Sequence, residues 1–103
     1  MLDVKSYIQL VLKKKKLTYE EFCRRINLVK AFLGDKGIVR PSNISEILHK
    51  PRGLDEKTLL IMEVALELPM DSLTKLNKEG VEPSIKLRNK KLREVLRNAR
   101  FNF

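Results

Sequence analysis

Few residues in this 103-residue chain have the types and spacing that bond-making chemistry needs. His49 is the only histidine and Cys23 the only cysteine, so neither a zinc-ligand set nor a nucleophile–base–carboxylate triad can be assembled. No glycine-rich phosphate loop occurs. Carboxylates do pair, at Glu20-Glu21 and Asp55-Glu56, but each pair opens an expected helix, where macrodipole and capping geometry account for it. The chain is expected not to be an enzyme and to need neither metal nor cofactor. The chemistry left is recognition. The stretch SNISEILHKPRG, from Ser42, begins a short helix with small polar residues that can approach base edges. It leaves that helix through a basic loop, Lys50-Pro51-Arg52-Gly53.

The charge has the matching sign. Twenty-two Lys+Arg stand against 13 Asp+Glu, a net +9. Residues 1–80 hold 15 basic and 11 acidic groups and residues 81–103 hold 7 and 2, which puts more than half the excess in the last segment. A polyanionic partner follows, and composition leaves DNA, RNA, an acidic protein and an anionic membrane surface open. No apolar run approaches the roughly 18 residues that span a bilayer. The N-terminal MLDVKSYIQLVL has neither a basic leader region nor a small-residue cleavage site, and a lone cysteine cannot form an internal disulfide. A reduced, cytoplasmic protein is expected.

The elements that would position these residues read as helices almost throughout. A first helix over about 3–15 carries Val4, Tyr7, Ile8, Val11 and Leu12 on one face, with Asp3 as N-cap. Lys13 to Lys16 fall on its last turn, where the macrodipole favours cations and a phosphate could also be met. Thr18-Tyr19-Glu20-Glu21 forms a capping box, with Leu17 and Phe22 as a staple. The helix it opens buries Phe22, Ile26 and Val29 and turns Arg24 and Arg25 toward solvent. That helix can run to Leu33 and stop at Gly34, where Gly34-Asp35-Lys36-Gly37 signals a turn and Ile38-Val39 a short extended piece. Pro41 marks a boundary at Arg40. A third helix over 42–50 is then capped by Ser42 or Asn43, with Ile44, Ile47 and Leu48 inward. A fourth, from Asp55 to Pro69, is apolar around most of its circumference, as a central helix should be. Asp71 caps a short fifth helix that Gly80 closes. After the hinge-like Val81-Glu82-Pro83-Ser84, residues 84–100 form a basic amphipathic helix with Ile85, Leu92, Val95, Leu96 and Ala99 in one stripe. Phe101 and Phe103 then need a surface to rest on.

Laid out this way, the sequence resembles the lambda-repressor-like (Cro/phage-repressor type) helix-turn-helix family over roughly residues 4–76. TYEEFCRRI is similar to the family's second helix, with Phe22-Cys23 at the usual Leu-Ala pair. SNISEILHKPRG resembles the recognition helix and its exit loop, with Ile44 as buried anchor. LDEKTLLIMEVALELPMDSL resembles the closing helix and turn. The resemblance implies an all-α fold: a five-helix domain over 1–80 and a C-terminal basic amphipathic helix as an extension over 81–103. One departure stands out. Phe22 and Ile44 are 22 positions apart, about twice the spacing left by a turn of a few residues. An insertion, about 28–39, therefore separates the second and third helices, as a lengthened helix plus a loop or as a small hairpin.

The resemblance further implies that Ser42, Asn43 and Glu46 face base edges in the major groove, where Asn pairs with adenine and Glu accepts from cytosine. It implies phosphate or flanking contacts for Ser45, His49, Lys50 and Arg52. Tyr19, with the amides opening the second helix, would clasp a phosphate. The plain alternative for each is a solvated helix face. The function so implied is sequence-specific binding of double-stranded DNA by a homodimeric transcriptional regulator of a bacterium, phage or mobile element, reading with helix 42–50. Two copies on a palindrome supply the affinity that one small recognition surface lacks. The alternative is a helical protein-interaction module or inhibitor, holding a protein partner through the insertion or the C-terminal helix. A membrane-surface role for 84–103 fits less well, because the apolar stripe is narrow.

Overall fold

Side chains reaching a few residues along the backbone set where the helices of this chain start and stop. The computed structural model describes residues 3–49, 54–76 and 83–103, with the side chains of 83–88 outside that description. Over those residues run α1 (Val4–Lys15), α2 (Tyr19–Phe32), α3 (Pro41–His49), α4 (Glu56–Ala65), a 3-10 turn (Thr74–Leu76) and α5 (Pro83–Asn98). The described residues are all-helical, without a strand, and none of their helices is long and apolar enough to cross a membrane.

Asp3 caps α1 by accepting the Ser6 N–H at 2.7 Å. Thr18 caps α2 by accepting the Glu21 N–H at 3.1 Å, the first half of the expected box. The second half is replaced, since the Glu21 carboxylate is engaged by Arg24 and Arg25. The far ends close by left-handed turns. Gly34 (φ 81°) ends α2 by donating to Ala31 while Asp35 donates to Lys30. The same closure at α1 and α4 uses Lys16 and Glu67, each at φ 56°, where a side chain is strained by about 1–2 kcal/mol. The stretch over 28–39 is thus the last part of α2 followed by a loop over 33–40, not a hairpin.

The core draws on every helix. Ile8, Val11 and Leu12 come from α1, Phe22, Cys23, Ile26 and Val29 from α2, and Ile44 and Leu48 from α3. α4 is the centre: Leu59, Leu60, Ile61, Met62 and Ala65 are all buried. α2 packs on α3 and α4, and α3 packs also on α1. A fully buried side chain such as Ile44 contributes about 1.5–3 kcal/mol by leaving water.

Over its described residues, to Leu76, the expected fifth helix is not α-helical, and its expected closure at Gly80 lies outside the described residues. Asp71 takes a left-handed φ of 70°, and the 3-10 turn Thr74–Leu76 follows. The cause is Glu63, 1% exposed on α4. Its Oε1 accepts the Asp71 N–H at 2.9 Å, and its Oε2 accepts those of Leu73 at 2.8 Å and Thr74 at 3.1 Å. One buried carboxylate gathers amides around itself, so the backbone wraps the side chain. Burial raises the Glu63 carboxyl above its ordinary range, against the pull of the three amides.

The last helix and the residues after it pack back on the rest. α5 lies against α4 and buries Leu96 and Asn89. Arg93 bridges Glu56 at 2.7 Å and Asp71 at 3.0 Å, and Asn89 donates to Glu56 at 3.2 Å. Within the expected stripe, Leu92 and Leu96 face inward, but Val95 is 47% exposed. Phe101 and Phe103 rest on α2. Phe101 meets Phe32 edge-on at 5.2 Å and stacks on Phe103 at 5.8 Å.

Candidate nucleic-acid interface

Three interactions among residues 27–39 hold the loop that joins α2 to α3. The Asn27 side chain pairs with the backbone of Val39 as a strand neighbour would: Nδ2 donates to its carbonyl at 3.0 Å, and Oδ1 accepts its N–H at 2.8 Å. Asp35 accepts the Gly37 N–H at 2.9 Å, which holds its carboxyl below the usual range. Lys30 lies 3.8 Å from the same carboxylate. The loop therefore enters α3 along a bonded path.

α3 begins one residue earlier than expected. Pro41 occupies its first position, where a missing N–H costs nothing and the fixed φ suits a helix. The cap position falls to Arg40, whose carbonyl accepts from Asn43 and Ile44. Asn43 is thus not the cap. It stands at the third helical position and turns Oδ1 back to the Arg40 N–H at 3.0 Å. The element expected over 42–50 is helical over Pro41–His49.

Ser42, Asn43, Glu46 and His49 are exposed and share the side of α3 that faces away from buried Ile44 and Leu48. Ser45 is half-buried at the flank of that face. Tyr19 opens α2 and is half-buried, with its ring packed on the core. It is thus a structural side chain as well as a candidate phosphate contact. Lys50 and Arg52 lie outside the described residues. Exposed cations around these elements include Lys13 to Lys16 at the end of α1, Lys36 in the loop and Arg40 at the start of α3. Arg40 adjoins the exposed face of α3 in sequence and was legible only as the residue before a proline.

Arg25 is the clearest departure from expectation. Its side chain is 14% exposed rather than solvated. It donates to the Ala65 carbonyl at 3.2 Å, pairs with Glu67 at 3.0 Å and lies 5.0 Å over the Phe103 ring. Arg24 pairs with Glu21 and donates to the main-chain oxygen of Phe103 at 2.8 Å. The arginines of α2 therefore hold the C-terminal segment. Cys23 is buried, and burial raises its thiol. Among the described residues no cluster of three or more His, Cys, Asp or Glu could hold a metal.

No protein-family model matches the chain, and comparison with curated proteins and with solved structures finds no match either.

Proposed function

We propose that this chain is a sequence-specific DNA-binding protein that acts as a dimer to regulate transcription, reading the major groove with α3. The observation that carries the reading is the solvent face of α3. Ser42, Asn43, Glu46 and His49 are solvent-exposed on a helix whose other side, at Ile44 and Leu48, is held in the core. Short polar side chains on a rigid helix are what base edges admit. The net charge of +9 and the exposed lysines of α1 add the sequence-independent attraction to phosphates. Selection from a random DNA pool at about 150 mM salt tests it, since that salt suppresses non-specific binding. Enrichment of a palindrome bound by two copies is expected. A pool that never enriches would overturn the proposal.

A second reading, a protein-interaction module, is favoured by a different surface. Leu28 and Phe32 on the outer side of α2 are 43% and 53% exposed, and Ile38 in the loop is 75% exposed. Apolar side chains so placed suit a protein partner better than a phosphate backbone. Replacing Ile38 and Leu28 by polar residues would remove such a partner and leave DNA selection intact.

A further inference from the structure

Three of the five large apolar side chains left exposed among the described residues gather on one surface. Leu28 and Phe32 stand one turn apart on the outer side of α2, with exposed Ala31 beside them. Ile38 joins them from the loop, where it shares a cleft of about 260 Å³ with Asn27, Ala31 and Lys36. Charge is ordered along the same face. Glu20, exposed in the first turn of α2, precedes Arg24 and Leu28 in steps of four, which keeps it on their side of the helix. It lies eight positions before Leu28, and Lys36 lies eight after, at the cleft. Between these ends the charges are met within the chain, since Glu21 pairs with Arg24 and Arg25, and Lys30 lies 3.8 Å from Asp35. Two copies of a chain of net +9 repel one another, and this balanced surface is where they can meet.

We infer that the outer face of α2 is where two copies of this chain pair, antiparallel about a two-fold axis at Leu28. A two-fold interface is self-complementary: what stands before the axis on one copy meets what stands equally far after it on the other. Glu20 then faces Lys36 of the partner subunit, Leu28 meets its own copy, and Arg24 comes to the ring of the partner's Phe32. A parallel arrangement would set Glu20 on Glu20 and Lys36 on Lys36. None of Ser42, Asn43, Glu46 and His49 belongs to this face. The pairing assigns an interface to the dimer that the proposed DNA reading calls for, but it stands on α2 and its loop alone. A helix of 14 residues, about 21 Å long, offers a small interface, so the dimer is expected to dissociate on dilution.

Sedimentation equilibrium of the full chain without DNA reads the pairing directly. The unaltered chain is expected to pass from monomer to dimer as its concentration rises. Leu28→Lys puts two ammonium groups at the axis and should stay monomeric, with an unchanged helical circular-dichroism spectrum. Glu20→Lys and Lys36→Glu each turn two attracting pairs into repelling ones and should weaken the dimer about tenfold or more. Joined in one chain they reverse both ends together, and the dimer should recover to within about threefold of the unaltered one. A double variant no better than the single ones would overturn the inference. So would a dimer that survives Leu28→Lys, or a chain that is monomeric at every concentration, which would hand the patch to a different protein. Because no DNA is present, such a failure is distinct from failure of the DNA reading, which its own selection experiment decides.

Discussion

Replacing Glu63 by Ala should loosen the segment that ties α4 to α5. Three backbone amides converge on this carboxylate, and the bond to Leu73 lies in the fully buried part of the turn. A buried amide left without an acceptor costs about 1–3 kcal/mol, while the two partly buried ones, which water can reach, cost about 0.5–1.5 kcal/mol each. Relief of carboxylate desolvation returns part of this, and a net loss of about 3 kcal/mol follows. Against a total stability of about 5–15 kcal/mol, that is large enough to read by urea unfolding. With a slope of about 1.5 kcal/mol/M the midpoint should fall by about 2 M. Glu63→Gln keeps one oxygen and should fall about half as far. Because burial raises the folded carboxyl above 4.5, its contribution is fully present below that pH and declines as pH rises through the raised value. The deficit of Glu63→Ala should therefore be greater at pH 4.5 than at pH 7.5. A midpoint shift under about 0.3 M in Glu63→Ala would refute the account, since three orphaned amides cannot cost so little.

Three further outcomes are expected. Asn27→Ala removes both bonds to Val39 and should cost about 1–2 kcal/mol, with faster amide exchange at Val39; unchanged exchange would show that the clamp does not hold the loop. Lys16→Gly relieves a left-handed residue at the end of α1 and should raise stability by about 0.5–1 kcal/mol, or roughly 4 °C in Tm. A lower Tm would contradict that backbone assignment. Hydrogen bonding to Arg24 holds Glu21 down at about 2, so its contribution is present above 4.5 and lost as pH falls from there toward 2; Glu21→Gln should flatten the acid side of a Tm–pH curve.

Local chemistry made much of the fold legible in the sequence. The caps at Asp3 and Thr18, the stop at Gly34 and the inward Ile44 all follow from short-range rules. Pro41 was legible too, but as a barrier to its predecessor rather than as the first residue of α3, which moved Asn43 from cap to third position. Glu63 was the harder case. It is the one acid inside LLIMEVAL, at helical spacing from Leu59, Leu60 and Leu66, a signal of burial that the sequence reading passed over. Its partners, however, are amides of a turn whose shape exists only once the carboxylate is in place. Arg25 failed for a related reason: its anchors, Ala65, Glu67 and Phe103, are at least 40 residues away in the chain. The exposed face of α3 was readable as a surface, whereas the engagement of Asn43 Oδ1 was not.

The packing of α5 decides how the role of its charge must be tested. Deleting everything after Gly80 removes the basic residues, but it also takes Leu96 from the core and Arg93 from Glu56 and Asp71. It strips Phe101 from Phe32 and Phe103 from Arg25 as well. A truncated chain that fails to bind DNA would report on folding as readily as on recognition. Lys90 and Lys91 offer a cleaner perturbation, because both are exposed while Asn89 and Arg93 make the contacts that anchor the helix. Replacing the two lysines by Ala should leave Tm within the range of ordinary surface changes, about 0.5 kcal/mol. If both meet phosphates, the slope of log affinity against log salt should become shallower by about 1.8, since each contact contributes about 0.9. The enriched sequence should stay the same, because phosphate contacts position a protein without reading bases. An unchanged slope with unchanged Tm would remove α5 from the DNA surface and leave its apolar Val95, 47% exposed, as the feature to explain.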